Sequence, residues 1–186
     1  MTTVDSSVSA FPRTRGREKG YRPTDVDDFI ARAREAFESG TEPLTAAEIR
    51  QVAFPLVKRG YTISAVDAAL GRIEDAFAAR ERDAALAAGS AHEWVTSSRD
   101  AAQEVLDRLQ RQRGKRFLRV GGLRYGYRID EVDLVADKLA AFLQTGEGVS
   151  VEQVRAVAFR MQRRGYSEAQ VDAVLDAVVE VMLAVR

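Results

Sequence analysis

Four aspartates, Asp27, Asp67, Asp133 and Asp172, are the residues whose type and spacing first invite a chemical reading, because paired carboxylates can share general acid and base work. Each closes the same pattern: Gly-Tyr, four variable residues, Val-Asp. The pattern occurs as Gly20-Tyr21 with Val26-Asp27, Gly60-Tyr61 with Val66-Asp67, Gly126-Tyr127 with Val132-Asp133, and Gly165-Tyr166 with Val171-Asp172. A carboxylate that recurs inside a motif with a structural explanation is read as part of that structure, and the cluster Asp25, Asp27 and Asp28 as ordinary acids at a helix start. His92 is the single histidine and there is no cysteine, so thiolate chemistry is excluded and a His/Cys metal site is not expected. Gly114-Lys115-Arg116 lacks the upstream Gly and following Ser or Thr of a phosphate loop. The chain is therefore expected to be no enzyme, with no cofactor and no metal.

The elements that carry these residues follow from the motif. Each copy has an upstream phenylalanine: Phe11, Phe54, Phe117 and Phe159. The gap from Phe to Gly alternates long, short, long, short, so the chain reads as a doubled pair of related units. Lys58-Arg59 before Gly60 and Arg163-Arg164 before Gly165 suit a last helical turn closed by a C′ glycine. The Tyr then stands at N′ of the next helix, the residue after it at the N-cap, and the Val at N4, a hydrophobic staple. Thr62 and Ser167 are good caps, Arg22 and Arg128 poor ones, and Pro23 suits N1. The repeated Asp, at the end of the first turn, would face the helix dipole or a neighbouring Arg.

The expected fold is mainly α: a repeat-built helical domain of helix-turn-helix units, with two short β-hairpin-like lead-ins and a pseudo-twofold internal duplication. Residues 1–10 read as a disordered tail without a hydrophobic signal core. Residues 11–88 form the first repeat pair, 89–114 a connecting helix and 115–186 the second pair. The lead-in at Phe117–Tyr125 reads as two short strands around Gly121-Gly122, and Phe11–Tyr21 as its equivalent. Thr45 with Glu48, Ser150 with Gln153, and Ser90 with Glu93 are capping boxes. Helices are expected over Val26–Ser39, from Thr45 on with Pro55 late in it as a kink or an early stop, from Tyr61 to about Ala88, from Ser90 to near Gly114, after Tyr127, over Ser150–Arg164 and from Ser167 on. The last carries so many apolar residues that the other half of the chain or a partner subunit is expected to cover it. Trp94 is expected to be a core anchor.

Hydrophobic residues make up 46% of the chain, enough for a core, and 28 basic residues balance 28 acidic ones. That balance argues against bulk nucleic-acid binding. No run approaches the length of a membrane span.

Phe, five residues, Gly-Tyr, four residues, Val-Asp and a helix together resemble the N-terminal domain of the DivIVA family of bacterial cell-division and polar-growth scaffolds, in the form of the DivIVA-like repeat proteins of high-GC Gram-positive bacteria. The short copies match that spacing, with Arg59-Gly60-Tyr61 and Arg164-Gly165-Tyr166; the long copies carry three extra residues. The resemblance covers roughly residues 11 to 186. It implies a cytoplasmic, non-enzymatic scaffold or adaptor, peripheral at the inner face of the membrane, that binds protein partners of the division or polar-growth machinery. In the family an exposed aromatic and basic residues near the motif face the membrane. Here Lys58 and Arg163 stand where that aromatic is expected. The family's long coiled coil is absent, so filament-like assembly does not carry over; a homodimer stays open.

Two basic runs sit on the long lead-ins: Arg13, Arg15, Arg17 and Lys19 in the first, and Arg113, Lys115, Arg116, Arg119 and Arg124 in the second. They are the candidate surface for an anionic partner, either phospholipid headgroups or an acidic protein. The bland alternative is solvated loops paired with acidic helices. A helix-turn-helix nucleic-acid binder is the other functional alternative, against which stand the acids Asp27, Asp28, Glu74 and Asp75 on the second helices.

Overall fold

The computed structural model describes residues 10–40 and 44–185. The tail expected over 1–10 thus falls, Ala10 apart, outside the described residues. The chain is mainly helical, 61% of the described residues, with two small antiparallel sheets. It divides into two compact units, Met1–Glu81 and Arg82–Arg186. Among the described residues no helix is long and apolar enough to cross a membrane.

In the first unit the order is β1 (Lys19–Tyr21), α1 (Pro23–Ser39), α2 (Ala46–Arg50), β2 (Leu56–Lys58) and α3 (Ile63–Ala87), the last turns of which run past Glu81. Arg22 takes an extended N-cap geometry with Pro23 at N1, and Val26 N–H donates to the Arg22 carbonyl at 3.2 Å. Gly40, in the left-handed region at φ 64°, closes α1 by donating to Ala36 O. Thr45 and Glu48 form the complete capping box of α2. Two acids of α3 hold α2 in place: Glu81 accepts from Ala46 N–H at 2.8 Å and the buried Glu74 from Arg50 Nε at 2.6 Å. Val26, Tyr61 and Val66 form the buried centre, with Phe11, Tyr21, Ile30, Phe54 and Leu70 packed around it.

The second unit contains α4 (Ala91–Leu109), β3 (Tyr125–Tyr127), α5 (Ile129–Thr145), α6 (Val151–Arg155), β4 (Met161–Arg163) and α7 (Glu168–Ala184). Arg128 and Ser167 are extended N-caps, and Val132 and Val171 donate back to them at 3.0 and 3.1 Å. Ser150 and Gln153 form the complete capping box of α6. Phe117, Val132, Tyr166 and Val171 make the buried centre. The apolar α7 is covered within this unit by α4 and α6, which buries Val178, Val179, Val181, Met182 and Leu183. Trp94 is half-buried and donates from Nε1 to Ala184 O at 3.2 Å. Helix α4, expected as a connector, packs on α5 and α7 and belongs to this unit.

Several expectations are corrected. The lead-ins are not hairpins. Leu123 and its neighbours turn at Gly121, where Arg124 N–H reaches Gly121 O at 2.9 Å, but the strands pair at long range, β1 with β2 and β3 with β4. The helices begun at Thr45 and Ser150 stop at Arg50 and Arg155, because the residues beyond are drawn into those pairings: Arg22 N–H donates to Pro55 O and Arg128 N–H to Arg160 O. Pro55 therefore lies in extended chain, where its missing N–H costs nothing. Gly60 and Gly165 consequently follow strands and close no helix; the left-handed residues are the arginines before them, Arg59 (φ 57°) and Arg164 (φ 55°). Thr62, read as a cap, instead donates to Pro12 O, and Ser90 to Ala85 O, while Ser167 makes no side-chain cap bond.

Candidate interaction surface

What positions both basic loops is a crossing of two main chains at the motif glycines. A Cβ on Gly20 would lie well inside 3.0 Å of Tyr61 O, and one on Gly60 within the same limit of Gly20 O. Gly126 and Gly165 stand in the same relation to Tyr166 O and Gly126 O. Only a residue without a side chain fits there. Beside the crossing the tyrosines exchange both main-chain hydrogen bonds: Tyr21 N–H to Tyr61 O at 3.0 Å and the reverse at 2.8 Å, then Tyr127 with Tyr166 at 2.9 Å each way.

The side chains cross as well. Tyr61 Oη donates to Asp27 Oδ2 at 3.0 Å, and Tyr21 bonds Asp67. Tyr166 Oη donates to Asp133 Oδ1 at 3.1 Å, and Tyr127 Oη to Asp172 Oδ2 at 3.5 Å. Each Tyr thus serves the Asp of the other copy in its unit. Burial raises Asp67 and Asp172 above the usual carboxylate range, against the lowering effect of the tyrosine bonds. Burial, then the nearby Asp172 charge, pushes Tyr127 up to about 12. Tyr21 and Tyr166 are raised too, chiefly by burial. Neutral, fixed donors of this kind hold the crossing together. These aspartates are expected at the helix dipole or beside an Arg, and Asp133 does face Arg116; the tyrosine pairing is not part of that expectation, and its one signal is the constant six-residue spacing from Tyr to Asp in every copy.

In the first unit Arg13, Arg15, Arg17 and Lys19 are all exposed, around a turn at Gly16 (φ 62°). Thr14 anchors the loop: its N–H donates to Gly60 O at 2.8 Å and its hydroxyl to Glu18 O at 3.1 Å. Arg13 lies over the Tyr61 ring, 5.5 Å from its centroid.

In the second unit Arg113, Lys115, Arg119 and Arg124 are exposed, and Arg116 is not. Arg116 is 5% exposed, donates to the Arg111 and Asp133 carbonyls at 2.9 and 2.6 Å, and pairs with Asp137 and Asp133. It is an internal strut, which a basic run alone does not reveal. Asp133 also accepts from Gly114 N–H at 2.6 Å. Asp137 is shared with Arg113. Burial pushes its carboxyl up, but bonds from the two arginines outweigh this and leave it below the usual range. The apex of the loop carries apolar residues among the cations: Leu123 is 87% exposed, Leu118 69% and Tyr125 54%. Arg163 donates to Tyr125 Oη at 3.3 Å and lies over that ring. Phe117 is buried; Phe11, Phe54 and Phe159 are half-buried.

Among the described residues no group of three His, Asp or Glu side chains is placed to hold a metal, and His92 is exposed. Comparison with protein-family models, with curated proteins and with solved structures finds no match to this chain.

Proposed function

We propose that this chain is a non-enzymatic scaffold or adaptor of the DivIVA-like type, acting in bacterial cell division or polar growth and built from two copies of one motif pair. In this reading it binds protein partners, and its basic loops rest on the anionic inner surface of the membrane. The observation that supports this best is the loop at Leu118–Tyr125, where Leu118, Leu123 and Tyr125 are exposed on the same stretch as Arg119 and Arg124, with Arg163 over the Tyr125 ring. A cation near an anionic bilayer contributes about 1 kcal/mol, and full burial of one leucine about 1.5–3 kcal/mol. The combination favours an interface with both charge and an apolar layer over a purely acidic protein surface. The loop at Arg13–Lys19 supplies charge without an apolar apex. Co-sedimentation with phosphatidylglycerol vesicles at low salt tests the reading. Binding that weakens with added salt and is absent on phosphatidylcholine is expected. No binding at low salt, or equal binding to both lipids, would overturn the membrane part; binding to DNA in its place would return the nucleic-acid alternative.

A further inference from the structure

The two units differ in one respect that points to a second binding surface. In the second unit α5 and α7 are covered by α4, whose Val105 and Leu109 are buried. Counting from Val26 and Val132, Ala33 corresponds to Leu139 and Phe37 to Leu143. Counting from Tyr61 and Tyr166, Ile73 corresponds to Val178 and Phe77 to Met182. Leu139, Val178 and Met182 are buried. Their counterparts in the first unit border a groove of about 390 Å³ between α1 and α3, lined by Phe11, Ala33, Phe37, Ile73 and Phe77; Ala33 and Phe77 form its buried floor, Ile73 is half-buried and Phe37 is 43% exposed.

At two positions the rim of that groove carries arginine where the covered copy has alanine. Arg34 and Arg72 line it, both exposed, and among the described residues neither forms an ion pair; their counterparts are Ala140 and Ala177. Glu38 lines the same groove. Arg80 closes one end, stacked over Phe37 and Phe77 at 5.1 and 4.7 Å and bonded to the Ala36 and Phe37 carbonyls. In the second unit Glu104 of α4 lines a common groove with Ala177, so a helix seated likewise on the first unit would bring an acid to Arg72.

We infer that the α1–α3 groove of the first unit receives an amphipathic helix of a partner protein, with valine or leucine at i and i+4 and an acid flanking that stripe, in the manner in which α4 covers the second unit. Helix-in-groove recognition reads such i, i+4 anchors. The inference rests on reading the two units as copies of one plan, and does not depend on the membrane loops; failure of vesicle binding leaves it standing.

The test uses the full chain and a fluorescein-labelled peptide of residues 90–110, the sequence of α4 itself, read by fluorescence anisotropy. Saturable binding is expected. Ile73→Glu, inside the groove, should weaken it about tenfold or more. A peptide carrying Glu104→Lys should bind more weakly to the native chain and regain affinity on an Arg72→Glu chain, a swap at an exposed position that stays readable if Ile73→Glu fails to fold. Absence of saturable binding, or binding indifferent to the charge swap, would overturn the inference. So would a dimer in sedimentation velocity that Arg72→Glu dissociates, which would assign the groove to a second copy of this chain.

Discussion

Tyr166 and Asp133 belong to different copies of the motif and are joined by a 3.1 Å hydrogen bond at the centre of the second unit. Asp133 is 5% exposed and also faces the buried Arg116. Loss of the Asp133 side chain leaves Tyr166 Oη and Gly114 N–H without their acceptor, each at a cost of about 1–3 kcal/mol, while Arg116 keeps Asp137. Asp133→Ala is therefore expected to lower stability by that amount for each group. In the first unit Asp27 is exposed, and Asp27→Ala should cost only the tyrosine bond, about 0.5–1.5 kcal/mol. Urea unfolding of the two variants checks the contrast; equal losses would contradict the role given to the buried Asp133 as shared acceptor.

The glycines make a sharper test. Gly60→Ala or Gly165→Ala must push apart two main chains that have no flexible side chain to give way. Overpacking of this kind costs about 1–3 kcal/mol and occasionally more. Gly121→Ala, with open space around its Cβ position and no positive φ, should change stability by less than about 0.5 kcal/mol. Thermal melts of the three variants give the comparison directly.

Alkaline pH should loosen the second unit. Tyr127 is raised to about 12 in the folded chain against 10.0 unperturbed. A group whose folded pKa is raised contributes stability that is complete below the unfolded pKa and fades as pH climbs through the folded one. Unfolding free energy is thus expected to fall between pH 10 and about 12, and Tyr127→Phe to flatten that fall. At acid pH the sign reverses for Asp137, held low by Arg116 and Arg113: its contribution is present above the ordinary Asp range and is lost as pH falls through its depressed value. Circular dichroism titrations of Tyr127→Phe and Asp137→Asn separate the two.

On vesicles, Leu123→Ser should weaken binding about tenfold at every salt concentration, since it removes part of a leucine's transfer energy. Arg124→Glu should weaken it mainly at low salt, as expected for a screened charge. A matched salt dependence for both variants would mean that Leu123 stays in water.

The beginnings of the helices were legible because they are local. Residues 45–48 and 150–153 announce their capping boxes, and the residue after each motif Tyr stands at or beside a helix start. The long-range pairings were not. Lys58 and Arg163 look like helical last-turn cations until β2 and β4 find their partners in β1 and β3, and a three-residue strand carries no periodicity to read. The basic runs were legible as charge, but burial of Arg116 depends on Asp133 and Asp137 in a separate helix. Nothing in the pattern of α1 and α3 distinguished a covered apolar stripe from an open one.

The abutting glycines have a consequence for how such a chain can grow or shrink. A solitary Gly-Tyr segment would face no second carbonyl, leave its tyrosine amide and hydroxyl without their counterparts, and offer a bare strand edge to any passing chain. Insertion or deletion that respects this architecture must therefore proceed by twos, so parity, more than total length, governs which shortened or extended versions can stand.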